Sequence, residues 1–310
     1  MIMRILILGA GGIGGYFGAR LQHAGADVHF LVRPPRAEIL RARGLRVHSP
    51  LGDLRLQPDV ITRVDAPADV VLLSCKAYDI NPALDSIEPA MGPHSAVVPL
   101  LNGVAHLDAL DRRFGRQRVA GGVAHLALTL DGDGDIRHLN STEKLIIGAR
   151  ADSHRTMVES LGERLAAISP DYLVSADIEQ DMWDKLVFIS VLAGATCLMR
   201  APVGVILATH AGGRLIDDML AESAAVASAC GHAPAPARME GYRATLTESG
   251  STLTASMLRD LLRHAQTEAE HILGDLCRRA EEHALQVPML DLALSHLQAY
   301  ETRRVSESSG

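Results

Sequence analysis

Met3-Arg-Ile-Leu-Ile-Leu-Gly9-Ala10-Gly11-Gly12-Ile13-Gly14 is the stretch whose reading decides the fold of this chain. A short apolar run ends in a glycine-rich corner and passes directly into helical spacing at Tyr16, Ala19 and Leu21. Strand, glycine corner and helix in that order form the layout of a dinucleotide-binding turn. Gly9 makes the tight bend, Gly11 lets backbone approach a pyrophosphate, and Gly14 lets helix pack on strand. The helix N-terminus then offers N–H groups and a partial positive charge to the phosphates. Three spaced glycines alone are a weak signal and also suit an ordinary strand–helix corner. Their position between strand and helix favours the cofactor reading, with Gly9, Ala10, Gly11, Gly12, Ile13 and Gly14 as the candidate contacts.

Working outward, the next strand is Asp27-Val-His-Phe-Leu-Val32, the second of a βαβ unit. A site for NAD carries Asp or Glu after this strand, to accept from the ribose 2′-hydroxyl. Here the strand runs into Arg33-Pro-Pro-Arg36, with no carboxylate before Glu38. A guanidinium pairs with a 2′-phosphate that an acid would repel, so NADP(H) is the expected cofactor and Arg33 its phosphate partner. Arg36 is read equally well as a phosphate contact or a solvated loop residue.

Residues 44–56 alternate apolar and polar around Pro50-Leu-Gly52, which predicts a hairpin inserted between parallel strands. Continuous apolar runs return at Asp69–Cys75 and Ser95–Leu101, the pattern of strands buried on both faces. They end in Lys76 and Asn102. The glycine turn, Arg33, Lys76 and Asn102 therefore fall at the carboxyl ends of successive parallel strands, the edge where open α/β sheets bind ligands. Arg118–Leu130, Ile136–Leu139 and Lys144–Gly148 read as three further strands, with Asp131–Asp135 as a hairpin turn and not a calcium loop. A helix over 155–168 and a strand over 172–174 complete an α/β, Rossmann-type first domain, residues 1–174.

From Ser175 the spacing is helical throughout, so residues 175–310 form an all-α second domain with a frayed tail from Val305. Asp177 and Gln180 stand at capping-box positions of its first helix. In Trp183-Asp-Lys185-Leu-Val-Phe-Ile189-Ser-Val-Leu-Ala193, Lys185 is the sole cation of an apolar segment, and Ile189 and Ala193 share its face. Such a lysine either snorkels to water or is held in a cleft where its pKa is tuned. Ser256–His271 is a charge-dense helical segment. Its Glu268 and His271 match half of a di-iron pattern whose other half is missing, so no metal is expected.

Composition bounds the rest. At 310 residues about two domains are expected. Hydrophobic residues make up 47% and aromatics 3%, so aliphatic packing must dominate the core. The net charge of −7 and the absence of a basic stripe argue against nucleic acid as a ligand. No apolar run reaches the ~18 residues of a membrane span. Met1 runs directly into the first strand, so no signal peptide is expected. Cys75, Cys197, Cys230 and Cys277 stand far apart with no CxxC, so neither a zinc knuckle nor a disulfide framework is suggested. The expectation is a cytoplasmic protein that acts on a small molecule, with a homodimer as the candidate assembly.

The chain resembles the ketopantoate reductase (2-dehydropantoate 2-reductase) family over essentially its whole length. The matching pieces are Gly9–Gly14, Arg33, Leu73-Ser-Cys-Lys76, Leu101-Asn-Gly103, Trp183-Asp-Lys-Leu186, and Ser256-Met-Leu with Thr267-Glu268. The resemblance implies a Rossmann domain, a helical domain like that of 6-phosphogluconate dehydrogenase, and NADPH-dependent reduction of a 2-oxo acid to a 2-hydroxy acid. By the same resemblance Lys185 is the general acid and Glu268 its acidic partner on the substrate. Asn102 would orient cofactor and substrate, Ser256 would hydrogen-bond the substrate, and Lys76 would sit beside the nicotinamide ribose.

One departure matters. The family has asparagines four and eight residues after its lysine, where this chain has Ile189 and Ala193. A substrate hydroxyl without its polar partner loses about 1–3 kcal/mol per unmatched group, so the more apolar wall suits a branched or aryl 2-oxo acid. Three readings follow: a 2-dehydropantoate reductase of pantothenate biosynthesis, a relative acting on bulkier apolar 2-oxo acids, and an NADP(H)-binding sensor without turnover.

Overall fold

The structure is a computed structural model that describes residues 3–169 and 171–308. It separates into two compact units, one running to Asn102 together with His106–Glu179, the other comprising Gly103–Ala105 and the chain from Gln180 onward.

The first unit opens with β1 (Arg4–Leu8), α1 (Gly12–His23), β2 (Asp27–Leu31), α2 (Pro34–Arg43), β3 (Leu45–His48), β4 (Leu54–Leu56), β5 (Asp59–Ile61) and β6 (Ala68–Leu73). It continues through α3 (Ile80–Ile87), β7 (Met91–Pro99), α4 (His106–Phe114), β8 (Gly121–His125), β9 (Leu128–Leu130), β10 (Ile136–His138), β11 (Lys144–Gly148), α5 (Arg155–Ala166) and β12 (Asp171–Ser175). Five strands make an all-parallel sheet in the order β5-β2-β1-β6-β7. Ile5, Ile7, Val70, Val71, Leu72 and Leu73 are fully or almost fully buried, as the continuous apolar runs require. This is the expected Rossmann-type arrangement, with β1 at the centre and its carboxyl end between those of β2 and β6.

The hairpin expected over 44–56 forms as β3 against β4, and β10 joins it to give a second sheet, β4-β3-β10-β9. A third sheet has the order β12-β11-β8. Two strand readings need correction. The apolar stretch 118–130 is two strands, because β8 pairs with β11 while β9 turns away to pair with β10. The three-residue β5 went unread because it is too short to show alternation. The Asp131–Asp135 turn is a hairpin turn as expected, its Asp131 carboxylate accepting from the N–H groups of Asp133 and Asp135.

Helix α1 is held to the second sheet by a buried polar cluster. The Tyr16 hydroxyl donates to the Glu143 carboxylate, the Arg20 guanidinium stacks 4.6 Å over the Tyr16 ring, and Ser49 meets His138 at 2.9 Å. Burial out of water, reinforced by the Glu143 carboxylate, makes this phenol ionise reluctantly, and the Tyr16 pKa rises to about 12. The helix that follows the glycine turn is thereby anchored along its own length as well as at its start.

The second unit is helical: α6 (Ile178–Met199), α7 (Val203–Leu207), α8 (Gly212–Ala229), α9 (Pro236–Leu246), α10 (Ser256–Leu262), α11 (Asp275–Glu282) and α12 (Pro288–Ser308). A single π-helical turn, Glu270–Gly274, leads into α11. Helix α6 is long and apolar enough by composition to cross a membrane, contrary to the count of apolar runs. Most of that stretch is buried inside the protein, and Asp181, Asp184 and Lys185 lie in its first turns, so it reads as the core helix of the unit. The segment 256–271 is not one helix. It stops at Leu262, where His264 takes a left-handed φ of 55° and the Ala265 N–H returns to the Asp260 carbonyl. The tail is helical as far as Ser308, not frayed from Val305; residues 309–310 lie outside the described residues.

Candidate active site

At the carboxyl end of β1 the chain turns at Gly9 with φ +92°, a conformation open to glycine at little cost, and the Gly9 N–H bonds the Leu31 carbonyl. Gly14 lies in α1 directly against the strand. A Cβ there would collide with the Ser74 hydroxyl and the Gly9 carbonyl, and would come within 3.0 Å of Ile7. Gly11, by contrast, has nothing within 4 Å of where its Cβ would stand. Gly11 is also the N-cap of α1 and supplies no side chain to the first helical N–H groups. Ala10 is buried, and Gly12 packs on Leu128. Together these features make an open cradle with a helix N-terminus behind it, which fits a pyrophosphate.

Arg33 follows β2 as the N-cap residue of α2, largely exposed, and pairs with Asp79 at 2.9 Å. Arg36 is not a solvated loop residue: its Nη2 donates to the carbonyls of Ala10 and Gly134, tying the glycine turn to the β9–β10 hairpin. That makes it a brace for the turn and leaves Arg33 as the exposed cation of the pair. Lys76 is half-buried after β6, at the N-cap of a one-turn 3₁₀ helix (Ala77–Asp79). Asn102 is half-buried in the bend after β7. All four features thus sit on one sheet edge.

In the second unit, Lys185 lies on α6, two turns from its start. The residue is half-buried, and its ammonium is kept from bulk water. That desolvation lowers its pKa from 10.5 to about 8, a fall that the nearby Glu268 carboxylate only partly opposes. The Lys185 ammonium is thus desolvated with a carboxylate nearby, as a tuned lysine requires. Glu268 and Lys185 are far apart in sequence yet within electrostatic reach of one another. Ile189 is half-buried and Ala193 buried on α6, while Ser256 stands exposed at the first position of α10.

Residues that the sequence reading passed over hold this arrangement. Trp183 is buried and stacks on His232, ring centroids 5.2 Å apart, with the Arg279 guanidinium 5.3 Å from its ring. Asp184, also buried, accepts from Gln180 at 2.8 Å and from Arg238 at 3.0 Å. These contacts fix the first two turns of α6, directly before Lys185. Near the other member of the pair, the Glu301 carboxylate accepts from both the N–H and the hydroxyl of Thr267, each at 2.7 Å. The Tyr300 hydroxyl donates to the Ala265 carbonyl at 2.7 Å. Helix α12 thus clamps the non-helical segment that presents Glu268. Thr267 directly before Glu268 was the available sequence signal; its partner could not be read without the fold.

The profile described as "Ketopantoate reductase PanE/ApbA" matches residues 5–152, and that of its C-terminal domain matches residues 177–301. An uncharacterised oxidoreductase, YkpB of Bacillus subtilis (strain 168), is 34% identical over 97% of this chain and all of its own length. Among solved structures, 2-dehydropantoate 2-reductase from Geobacter metallireducens GS-15 superposes with a TM-score of 0.88 at 27% identity, covering 96% of this chain and 99% of that one. D-Mandelate dehydrogenase, solved with NADH and anilino(oxo)acetate, has the same TM-score at 19% identity, covering 97% and 99%. Fold and likeness define an NAD(P)-dependent oxidoreductase acting on a CH–OH group. Within that class, the chain belongs to the ketopantoate reductase family.

Proposed function

We propose that this enzyme reduces a 2-oxo acid to the 2-hydroxy acid with NADPH, with 2-dehydropantoate as its first candidate substrate. The observation that carries the reading is the desolvated Lys185 ammonium within electrostatic reach of Glu268, with a pKa of about 8. The cofactor, when bound, supplies the hydride that the 2-oxo carbon receives. Lys185 delivers the proton to the carbonyl oxygen and becomes the neutral amine, and its charge stabilises the oxygen while negative charge builds there. A donor whose pKa lies near the working pH is protonated in the resting enzyme yet gives its proton up readily. Glu268 accepts a hydrogen bond from a substrate hydroxyl and keeps Lys185 charged. Asn102 and Ser256 add polar contacts to the substrate, Lys76 and Asn102 to the cofactor, and Arg33 takes the 2′-phosphate.

A second reading of the substrate rests on Ile189 and Ala193, apolar residues at i+4 and i+8 from Lys185 on the same face of α6. They favour a 2-oxo acid with a branched or aryl side chain. Steady-state rates on 2-dehydropantoate and on branched and aryl 2-oxo acids, each with NADPH and with NADH, test both. A clear kcat/KM advantage for 2-dehydropantoate removes the second reading. An advantage of an order of magnitude or more for an aryl or branched acid removes the first. Tight NADPH binding with no turnover on any of them would overturn the enzyme reading in favour of a cofactor sensor.

A further inference from the structure

Arg33, at the start of α2, and Asp79, in the 3₁₀ turn after β6, lie on opposite sides of the glycine turn. Arg33 follows β2, Asp79 follows β6, and in the sheet β1 lies between those two strands. Their 2.9 Å ion pair therefore bridges the carboxyl end of β1, where the turn begins. The pair is not a buried structural bridge. The Arg33 side chain is 73% exposed and that of Asp79 35%, so water can replace either partner. The other nearby guanidinium, Arg36, is already committed to the Ala10 and Gly134 carbonyls. An acid thus stands against the exposed arginine of this edge, although no acid directly follows β2 in the sequence.

We propose that Asp79 sets the preference between NADPH and NADH by competing with the 2′-phosphate for Arg33. This rests on Arg33 being the 2′-phosphate partner. For the phosphate to pair with Arg33, the carboxylate must give up the guanidinium and then remain close to a second, doubly charged anion. A cofactor with a 2′-hydroxyl meets neither penalty, because the Arg33–Asp79 pair can stay closed beside it. Asp79 therefore narrows an advantage that Arg33 alone would make wide. Exposed ion pairs and like-charge contacts in water are each worth little, so the expected effect is about five- to tenfold.

The test is the dissociation constants of NADPH and NADH, measured by quenching of intrinsic fluorescence, for wild type, Asp79→Asn, Arg33→Ala and the double variant. Asparagine is isosteric with aspartate and the site is partly exposed, and thermal melts check that each variant folds. Asp79→Asn should tighten NADPH about five- to tenfold and leave NADH within about twofold. Arg33→Ala should weaken NADPH alone, and on that background the Asp79→Asn gain should shrink. If Arg33→Ala lowers the NADPH preference while Asp79→Asn leaves it unchanged, the competition is refuted and the cofactor assignment stands. If Arg33→Ala leaves the preference unchanged, the assignment itself falls, and the competition with it. A raised preference that comes from weaker NADH binding also overturns the proposal, since Asp79 would then be a ribose-hydroxyl acceptor.

Discussion

The glycine turn and the surroundings of Lys185 solve opposite problems with opposite materials. Gly9 to Gly14 is a continuous piece of backbone whose shape comes from missing side chains: a left-handed turn at Gly9, no room at Gly14, open space at Gly11. Lys185 and Glu268 come from distant segments, and the lowered lysine pKa comes from what surrounds it. Desolvation lowers the lysine, the carboxylate restrains that fall, and Trp183, Asp184, Tyr300 and Glu301 keep the two segments in register. A binding turn can be encoded locally, whereas a tuned proton donor has to be assembled. Substitutions should therefore act on affinity in the first region and on rate and its pH dependence in the second.

The largest separation should come from Lys185→Met. Turnover should fall by about 10²–10⁴-fold, with the dissociation constant for the reduced cofactor unchanged. The same variant should melt higher, because removing a desolvated ammonium relieves a burial penalty of order ~1–3 kcal/mol. The sign follows from linkage. A folded-state pKa of about 8 against 10.5 means the native protein binds fewer protons, so wild-type stability rises as pH climbs from about 8 toward 10.5. Calorimetry across that range checks it, and a flat profile in wild type would contradict the desolvation argument.

Within the turn, Gly14→Ala should destabilise the protein by about 1–3 kcal/mol, because the new methyl meets backbone as well as a side chain. Gly11→Ala has no neighbour to displace and should melt as wild type while binding cofactor at least about tenfold more weakly. Equal melting temperatures with equal cofactor affinity for Gly11→Ala would mean that the open cradle is not where the dinucleotide lies.

A smaller effect is expected at Glu301, which acts only through the segment bearing Glu268. Glu301→Ala should cost about 1–2 kcal/mol of stability and lower kcat/KM, with Glu301→Gln, which keeps one acceptor, restoring most of both. If Glu301→Ala leaves kinetics untouched, the clamp is structural only. Smallest of all is the pH response. The rate of reduction should be flat at low pH and decline above about 8, where Lys185 loses its proton, and the reverse oxidation should rise through the same window. Glu268→Gln removes the charge that supports the ammonium and should move that midpoint to lower pH, by up to about one unit.

The sheet edge is legible in the sequence, because each of its parts follows an apolar strand and carboxyl ends of parallel strands converge. The helix carrying Lys185 is legible too, but whether that lysine reaches water or is held in a cleft is not. The break at Leu262 is hidden, since Arg263, His264 and Gln266 suit a solvated helix as well as they suit a turn. Arg36 reads as a candidate phosphate contact because nothing in sequence shows that the Gly134 carbonyl lies beside it.

By itself, then, the sequence determined the class of fold, the glycine turn between strand and helix, and the helix that carries the candidate proton donor, because strand and helix periods and glycine φ requirements are local properties of a chain. Only the tertiary structure decided that Glu268 comes within electrostatic reach of Lys185, that α12 holds the neighbouring Thr267, and that Asp79 sits on Arg33. Those depend on desolvation and on charges brought together across long stretches of sequence, and neither quantity exists until the chain has folded.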